Sequence, residues 1–333
     1  MSSGYRILEP KDLDGIEHAN RQFALDVLIG LSEYPKRLSS KYFYDDEGSR
    51  LFQQIMNIPE YYLTNLEYEI FESHGEAIAQ SMGNEPFNLV ELGAGDGKKT
   101  NVLLKYFQQR KLKFDYVPID ISEGVMKDLV QSMRQQHPEL KMNGLVAEYF
   151  EALKWISRFS EKRNLVLFLG SNLGNFPKME ARVFLRSLWN CLNDGDSVMI
   201  GFDLKKDIER MLSAYNDSKG VTAAFNLNLL TRINRELGGN FNRSKFRFYS
   251  SYNVFSGAIE SYLVSLEAQT VTIKELGQSF TFKAWEPIHT EYSYKYLETD
   301  IQELAERTGY AIENQYYDTR KDFVDSVWKV VKQ

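Results

Sequence analysis

A glycine-rich turn directly after a short apolar segment is the part of this chain with the clearest chemical meaning. Residues 88–92 are typical of a buried parallel strand, and Gly93, Gly95 and Gly97 follow at alternate positions. Glycine lets the backbone turn tightly and lets a ligand approach it closely. Because residues 98–110 are typical of a helix, its N-terminal amide groups would face the same ligand. The pattern predicts a nucleotide-type site.

The spacing of the glycines narrows the type of nucleotide. The dinucleotide motif is G-x-G-x-x-G, whereas the order here is G-x-G-x-G, and residues 98–100 do not complete a G-x-x-x-x-G-K-[ST] phosphate loop. A second predicted strand ends in Asp120, whose carboxylate can accept hydrogen bonds from both hydroxyls of an adenosine ribose. This combination resembles S-adenosylmethionine-dependent methyltransferases more closely than NAD enzymes. A purely structural turn is the alternative.

Composition excludes several classes of function. The formal net charge of the 333 residues is −6 and no block of Lys or Arg occurs, which argues against nucleic-acid binding. The single cysteine, Cys191, allows no internal disulfide, and the four histidines lack ligand spacing, so we predict no metal. No segment has the ~18 apolar residues of a membrane span or resembles a signal peptide. We expect a cytoplasmic monomer that does not bind a membrane.

Strands and helices alternate from residue 67 to residue 205. The predicted helices lie at 67–82, 98–110, 123–136 and 178–192, and the predicted strands at 88–92, 114–120, 144–147, 164–170 and 197–203. Such alternation predicts a parallel sheet with helices on both faces, which binds ligands at the carboxyl ends of its strands. Gly93, Asp120, Glu148 and Gly170 all fall at these ends.

The remaining segments have a different pattern. Helices are predicted at 12–31, 51–56, 207–215, 221–237 and 299–308, and strands at 246–252, 258–266, 269–273, 280–282 and 322–331, the last alternatively a helix followed by a strand. Residues 260–267 alternate polar and apolar side chains, as in a half-solvated antiparallel sheet. The sequence therefore predicts an α/β fold. A Rossmann-like class I methyltransferase sheet would occupy 67–205, and residues 1–66 and 206–333 would form a smaller α+β substrate domain.

Several segments resemble, in order, the motifs of the histidine-specific methyltransferase family, whose type member is the L-histidine Nα-methyltransferase of ergothioneine biosynthesis. The matching segments are 41–52, 58–65, 90–100, 116–123, 168–176, 215 with 220–229, and 290–296. The resemblance covers nearly the whole chain from about residue 40 onward. It implies an enzyme with S-adenosylmethionine as cofactor and an amino acid as substrate, in the first place histidine, trimethylated to its betaine.

The resemblance also assigns roles to single residues. Those assigned to S-adenosylmethionine are Gly93, Lys99, Asp120, Glu148 and Tyr149, with Asp120 on the ribose hydroxyls and Glu148 and Tyr149 beside the adenine. Those assigned to the amino acid or its reacting amine are Tyr44, Tyr61, Gly170, Asn175, Tyr215, Glu291 and Ser293. Glu291 and Ser293 would contact the substrate side chain, and their spacing places both on one face of a strand.

Methyl transfer from a sulfonium to an amine requires a free nitrogen lone pair. Because the sulfonium is already strongly activated, the protein chiefly has to position the reactants. An amino acid arrives with a charged ammonium group. The resemblance leads us to expect that Asn175 and Tyr215 fix the carboxylate. Tyr44, the residue we predict to be catalytic, would assist loss of the ammonium proton through water.

Two positions depart from the family pattern. Residues 63–65 are Leu-Thr-Asn where the family commonly has Pro-Thr-Arg. Ser261 occupies the place where we expect a methionine beside the imidazole, and a smaller polar residue would widen that pocket or add a hydrogen bond. Tryptophan or another bulky aromatic amino acid is therefore an alternative substrate, and a binding protein without turnover is a third hypothesis. Asn175 has the alternative role of capping the helix predicted from residue 178.

Overall fold

The computed structural model describes residues 5–7, 19–159 and 161–332. Within these residues the chain forms two compact units. The first unit contains residues 63–205 and 295–332 together with residues 5–7, and the second contains residues 19–62 and 206–294. Among the described helices, none combines the length and the apolar character needed to span a membrane.

Helices and strands are numbered here in chain order. The α-helices are α1 (Ala19–Ser32), α2 (Asp46–Ile55), α3 (Leu63–Ser81), α4 (Lys98–Gln109), α5 (Glu123–Gln136), α6 (Tyr149–Phe159), α7 (Lys178–Cys191), α8 (Ile208–Ser213), α9 (Val221–Leu237) and α10 (Glu298–Thr308). The strands are β1 (Tyr5–Ile7), β2 (Lys36–Arg37), β3 (Phe87–Leu92), β4 (Phe114–Asp120), β5 (Gly144–Val146), β6 (Arg163–Phe168), β7 (Ser197–Asp203), β8 (Phe246–Asn253), β9 (Ala258–Ser265), β10 (Gln269–Ile273), β11 (Gln278–Phe282), β12 (Pro287–Tyr294), β13 (Tyr310–Tyr317) and β14 (Phe323–Val330).

The first unit is built on one large sheet with the strand order β1-β5-β4-β3-β6-β7-β14-β13. Strands β3 to β7 pair in parallel, as the alternation of strands and helices predicts. Strand β1 was not predicted, and it pairs in parallel with β5 although residues 1–66 were assigned to the second domain. Every residue of β3 is buried, because helices cover both faces of a parallel sheet. The carboxyl ends of β3, β4 and β6 consequently meet at one edge, where the glycine turn follows β3.

The C-terminal segment corrects the predicted division of the chain. Residues 295–333 were assigned to the second domain, but β13 and β14 extend the first sheet, with β14 antiparallel to both β7 and β13. The physical reason is burial, since all but one residue of β14 are buried and Trp328 stacks on Phe202 of β7 at 5.6 Å. The sequence pattern of an antiparallel hairpin does not depend on the sheet that it joins. Local pattern therefore could not show to which unit β13 and β14 belong.

The second unit contains a smaller sheet with the order β2-β12-β9-β8 and a separate two-stranded ribbon, β10-β11. Helix α9 carries Phe225, which contacts the rings of Phe43 and of Phe52 on α2. The four strands predicted between residues 246 and 282 are confirmed as β8 to β11. The helix predicted at 12–31 is observed as α1 from Ala19, and residues 12–18 lie outside the described part of the chain.

Candidate donor and acceptor sites

The turn between β3 and α4 requires glycine at specific positions. Gly93 has φ 72° and a Cβ there would lie 2.9 Å from the Tyr149 hydroxyl oxygen. Gly97 has φ 65°, and a Cβ there would lie 2.3 Å from the Leu129 Cδ1 atom. Left-handed backbone favours glycine and neither place has room for a side chain. Glycine at these two positions therefore lets the backbone pass close to its neighbours directly before the first residue of α4.

Asp120 ends β4 beside this turn. One of its carboxylate oxygens accepts a hydrogen bond from the Gly95 N–H at 3.1 Å, and the other accepts from the Ser122 N–H at 3.0 Å. Burial raises the pKa of Asp120, and the bonds from these amide groups partly offset the rise. The Ile121 N–H also contributes a hydrogen bond, and the carboxylate, which offers about four acceptor positions, keeps acceptor capacity toward a ligand.

Tyr149 and Glu148 lie at the start of α6. The Tyr149 ring stands edge-on to Phe168 at 5.8 Å and to Phe184 at 6.3 Å. Burial raises the pKa of Tyr149, and the negative charges of Asp120 and Glu148 raise it further, so the phenol stays neutral. Glu148 itself is exposed. Tyr149 and Glu148 therefore place an aromatic ring and an exposed carboxylate at the start of α6, where the adenine is predicted to bind.

Lys99 and Gly170 come together through a residue that the sequence analysis missed. The buried carboxylate of Glu67 on α3 pairs with the Lys99 ammonium group and also accepts the Gly170 N–H at 2.8 Å. Gly170 has φ 71°, and a Cβ there would lie 3.3 Å from Lys99 Nζ. An acid on an amphipathic helix ordinarily indicates a solvated face, so no sequence signal marked Glu67.

The segment after Gly170 carries Asn175 at the end of a 3₁₀ turn, Asn172–Asn175. Ser171 also adopts left-handed backbone, with φ 57°, and its Oγ accepts the Asp203 N–H at 3.2 Å. Helix α7 begins after Pro177 without a side-chain cap, so the alternative role of Asn175 as a helix cap is wrong. Asn175 is half-buried and belongs, like Gly170, to the first unit.

The second unit groups the remaining predicted residues. The rings of Tyr61 and Tyr215 lie 6.2 Å apart, and Phe52 contacts both Tyr61 at 6.2 Å and Tyr44 at 5.5 Å. The Tyr215 hydroxyl group and the Ser293 Oγ form a hydrogen bond of 2.6 Å. Tyrosines from three separate segments of the chain therefore form one aromatic cluster that ends in a pair of hydroxyl groups.

A β-bulge orients Glu291. The pairing of β12 with β9 shifts between His289 and Glu291, which places Glu291 opposite Ser261, and Ser293 stands opposite Ile259. Since Ser261 and Ile259 share one face of β9, Glu291 and Ser293 share that face too, as the period-two argument predicts. The bulge residue Thr290 is buried and its Oγ1 donates a 2.8 Å hydrogen bond to Asn226 on α9. Bulges commonly re-aim side chains next to functional sites.

The predicted residues thus form two sets. Gly93, Lys99, Asp120, Glu148, Tyr149, Gly170 and Asn175 lie in the first unit, and Tyr44, Tyr61, Tyr215, Glu291 and Ser293 lie in the second. In the ranges that the structure describes, no three His, Cys, Asp or Glu side chains are arranged to hold a metal ion. The roles that the resemblance gives to single residues stay predictions.

The first unit combines a mostly parallel Rossmann-like sheet, a glycine turn after one strand and an acid at the end of the neighbouring strand. These features identify the protein as a class I S-adenosylmethionine-dependent methyltransferase. Residues 23–330 match the sequence model of a family described as histidine-specific, S-adenosylmethionine-dependent methyltransferases. The chain therefore belongs to this family, and it is an enzyme that uses S-adenosylmethionine.

Individual relatives agree with this assignment. The histidine N-alpha-methyltransferase of Mycolicibacterium smegmatis is 37% identical over 282 residues, which are 84% of this chain and 87% of that protein. Ergothioneine biosynthesis protein 1 of Schizosaccharomyces pombe is 29% identical over 323 residues, 93% of this chain and 41% of that protein. The 4-dimethylallyltryptophan N-methyltransferase of Claviceps purpurea is 26% identical over 314 residues, 88% of this chain and 90% of that protein.

Proposed function

We propose that this enzyme transfers methyl groups from S-adenosylmethionine to the α-amino nitrogen of L-histidine, three times in succession, to give its betaine. The observation that carries the proposal is the placement of Glu291 and Ser293 on one face of β12, with Ser293 bonded to Tyr215. A carboxylate can accept the N–H of an imidazole, and hydroxyl groups can hold the polar end of an amino acid.

The residues of the first unit fit the donor. The open backbone at Gly93, which a Cβ would close, suits the approach of a nucleoside. The remaining acceptor capacity of the Asp120 carboxylate suits the ribose hydroxyl groups, and the aromatic ring of Tyr149 suits the adenine. When bound, S-adenosylmethionine supplies a methyl group on a positively charged sulfur.

The chain's own residues have to deliver the amine in its neutral form. We assign proton loss, through water, to Tyr44, as the family resemblance implies; its ring packs against those of Phe52 and Phe225. Tyr61 and Tyr215 present ring faces and hydroxyl groups that tolerate the cationic nitrogen formed by successive transfers. Asn175 and Tyr215 remain the predicted partners of the substrate carboxylate.

An aromatic substrate such as tryptophan is not favoured as the alternative. The histidine-specific relative is more similar to this chain than the relative that acts on a tryptophan derivative. Ser261, which the sequence analysis marked as a departure, is buried directly opposite Glu291. A hydroxyl group beside the carboxylate adds polar character to this part of the second unit, which suits an imidazole better than an indole ring.

A methyl-transfer assay with three acceptors tests the proposal. We expect rapid transfer to histidine and slow transfer to tryptophan. We expect none to Nα-acetylhistidine, which keeps the imidazole ring but has no free amine. Faster transfer to tryptophan than to histidine would contradict the assigned substrate. Binding of S-adenosylhomocysteine without transfer to any amino acid would contradict the enzyme's proposed reaction altogether.

A cytoplasmic location and a monomeric state belong to the same proposal and rest on the sequence alone. Cell fractionation tests the first. Light scattering on the purified protein tests the second, with the mass of one chain, 38.7 kDa, as the expected result.

A further inference from the structure

Three buried acidic side chains surround one lysine beside the glycine turn of the first unit. Glu67, Glu91 and Asp325 are buried on α3, β3 and β14, and Lys99 lies in the first turn of α4. Buried charges are costly unless they are paired and hydrogen-bonded. A cluster of this kind at a ligand-binding edge therefore calls for an explanation beyond packing.

Glu67 is the acid that contacts the binding elements directly. Its Oε2 pairs with Lys99 Nζ, and its two oxygens accept the Gly170 N–H at 2.8 and 3.1 Å. One carboxylate thus ties together helix α3, the start of α4 and the turn after β6. Both groups that it holds are among the residues that the family resemblance assigns to the donor or to the reacting amine.

The fold leaves space specifically for this carboxylate. Gly201 on β7 lies beneath it, and a Cβ at Gly201 would come within 2.5 Å of Glu67 Oε1. Asp325 pairs with Gly201 across the ladder between β7 and β14. A side chain at position 201 would force the Glu67 carboxylate to shift, since the contact is far inside van der Waals distance.

The pKa values of the other two acids, Asp325 and Glu91, are raised. Burial raises the pKa of Asp325 well above its usual value, and the neighbouring Glu67 raises it further, although Lys99 lowers it. Its oxygens make no hydrogen bond of ordinary geometry within the described residues, so a protonated Asp325 can donate to Glu67. Burial raises the pKa of Glu91 to about 7, and its oxygens accept the hydroxyl groups of Thr100 and Tyr116. Glu67 is therefore left as the direct counter-ion of Lys99.

We propose that Glu67 is a positioning residue of the active site, which holds the Lys99 ammonium group where the donor requires it and the Gly170 amide where the reacting amine requires it. This inference rests on the proposed function, because the roles of Lys99 and Gly170 do. Glu67 acts through these two groups and does not itself react.

The test replaces Glu67 by glutamine, which keeps the size of the side chain and removes its charge. We expect Glu67→Gln to raise the Kd for S-adenosylhomocysteine, measured by calorimetry, by about tenfold. The KM for S-adenosylmethionine should rise with it, and the KM for histidine should also rise, because Gly170 is among the residues assigned to the amino acid and its reacting amine. Glu72→Gln is the matched control, because Glu72 is exposed on the same helix, and it should change none of these values.

Calorimetry separates positioning from folding. A merely structural role would lower the number of binding sites per chain and leave the Kd of the folded fraction unchanged, which would overturn the proposal. If Glu67→Gln does not fold, Glu67→Asp takes its place, since it keeps the charge and withdraws it by one methylene group. Wild-type affinity in a folded Glu67→Asp variant would then overturn the proposal.

A double-mutant cycle tests whether Glu67 acts through Lys99. Lys99→Met alone should weaken S-adenosylhomocysteine binding, and adding Glu67→Gln should weaken it by no more than about a further twofold. Full multiplication of the two effects would contradict the proposal. Failure of the wild-type enzyme to methylate histidine would instead contradict the proposed function, so the two failures are distinguishable.

Discussion

Replacing Glu291 separates recognition of the substrate side chain from binding of the methyl donor. Glu291→Gln keeps the size of the side chain but replaces a charged acceptor by a neutral one. Glu291→Ala removes the acceptor altogether. Because Glu291 stands on β12 in the second unit, whereas the predicted ribose partner Asp120 ends β4 in the first, we expect only histidine methylation to suffer.

The size of the effect follows from the type of hydrogen bond. A bond to a charged group contributes about 1.5–3 kcal/mol, and a neutral bond about 0.5–1.5 kcal/mol. Glu291 is half-buried, so water screens part of its charge and values near the lower ends apply. We therefore expect kcat/KM for histidine to fall about 10–50-fold in Glu291→Ala and about fivefold in Glu291→Gln.

The assay compares two quantities in the same preparation: kcat/KM for histidine and the Kd for S-adenosylhomocysteine. The Kd should stay within about twofold of the wild-type value in both variants. Glu275→Gln, an exposed residue of the second unit, is the control and should change neither quantity. An equal loss of histidine turnover and of S-adenosylhomocysteine binding would refute the role of Glu291 in recognising the substrate.

Three further predictions concern the first unit. Gly93→Ala should abolish measurable binding of S-adenosylhomocysteine, because its Cβ would lie 2.9 Å from the Tyr149 hydroxyl oxygen. Gly83→Ala is the control: it has a similar φ of 67° but lies in open space, so it should lower stability without affecting binding. Asp120→Asn should raise the same Kd more than about tenfold by removing the charged acceptor for the ribose, and calorimetry showing an unchanged Kd would exclude Asp120 from the donor site. Asp325→Asn should stabilise the protein increasingly as pH rises, because folded Asp325 keeps a proton that the unfolded chain loses above about pH 4. The wild type therefore loses stability from about pH 4 upward toward the raised pKa, and melting curves with the same difference between variant and wild type at pH 5 and pH 8 would contradict this.

Sequence pattern predicted β3, the glycine turn, α4 and β4, because each has a strong local signal, but it missed helix α6, which begins at Tyr149. The apolar run of β3, the glycines after it and the acid at the end of β4 are contiguous features, and the structure confirms the strands and the turn. The C-terminal hairpin β13–β14 was harder to predict from sequence. Strand β13 was not predicted, and β14 was assigned to the wrong unit, because pairing with β7 is a tertiary choice.

Long-range contacts also limited what sequence could predict about the residues assigned to the substrate and about the buried acids around Lys99. The period-two spacing of Glu291 and Ser293 correctly placed them on one face. It did not predict the bulge at Thr290, whose hydroxyl group bonds to Asn226 on α9, 64 residues away in the chain. Glu67 could not be found from sequence, because its partners are about 30 and 100 residues away, as its bonds to Lys99 and Gly170 show. Long-range polar pairs of this kind leave no periodic signal.

The most direct test of the central claim is the structure of the product formed from histidine and S-adenosylmethionine. Proton NMR of the purified product should show three equivalent methyl groups on the α-nitrogen and an unchanged imidazole ring. Methyl groups on a ring nitrogen, or no product from histidine while tryptophan is converted, would contradict the assignment of this protein as a histidine Nα-methyltransferase.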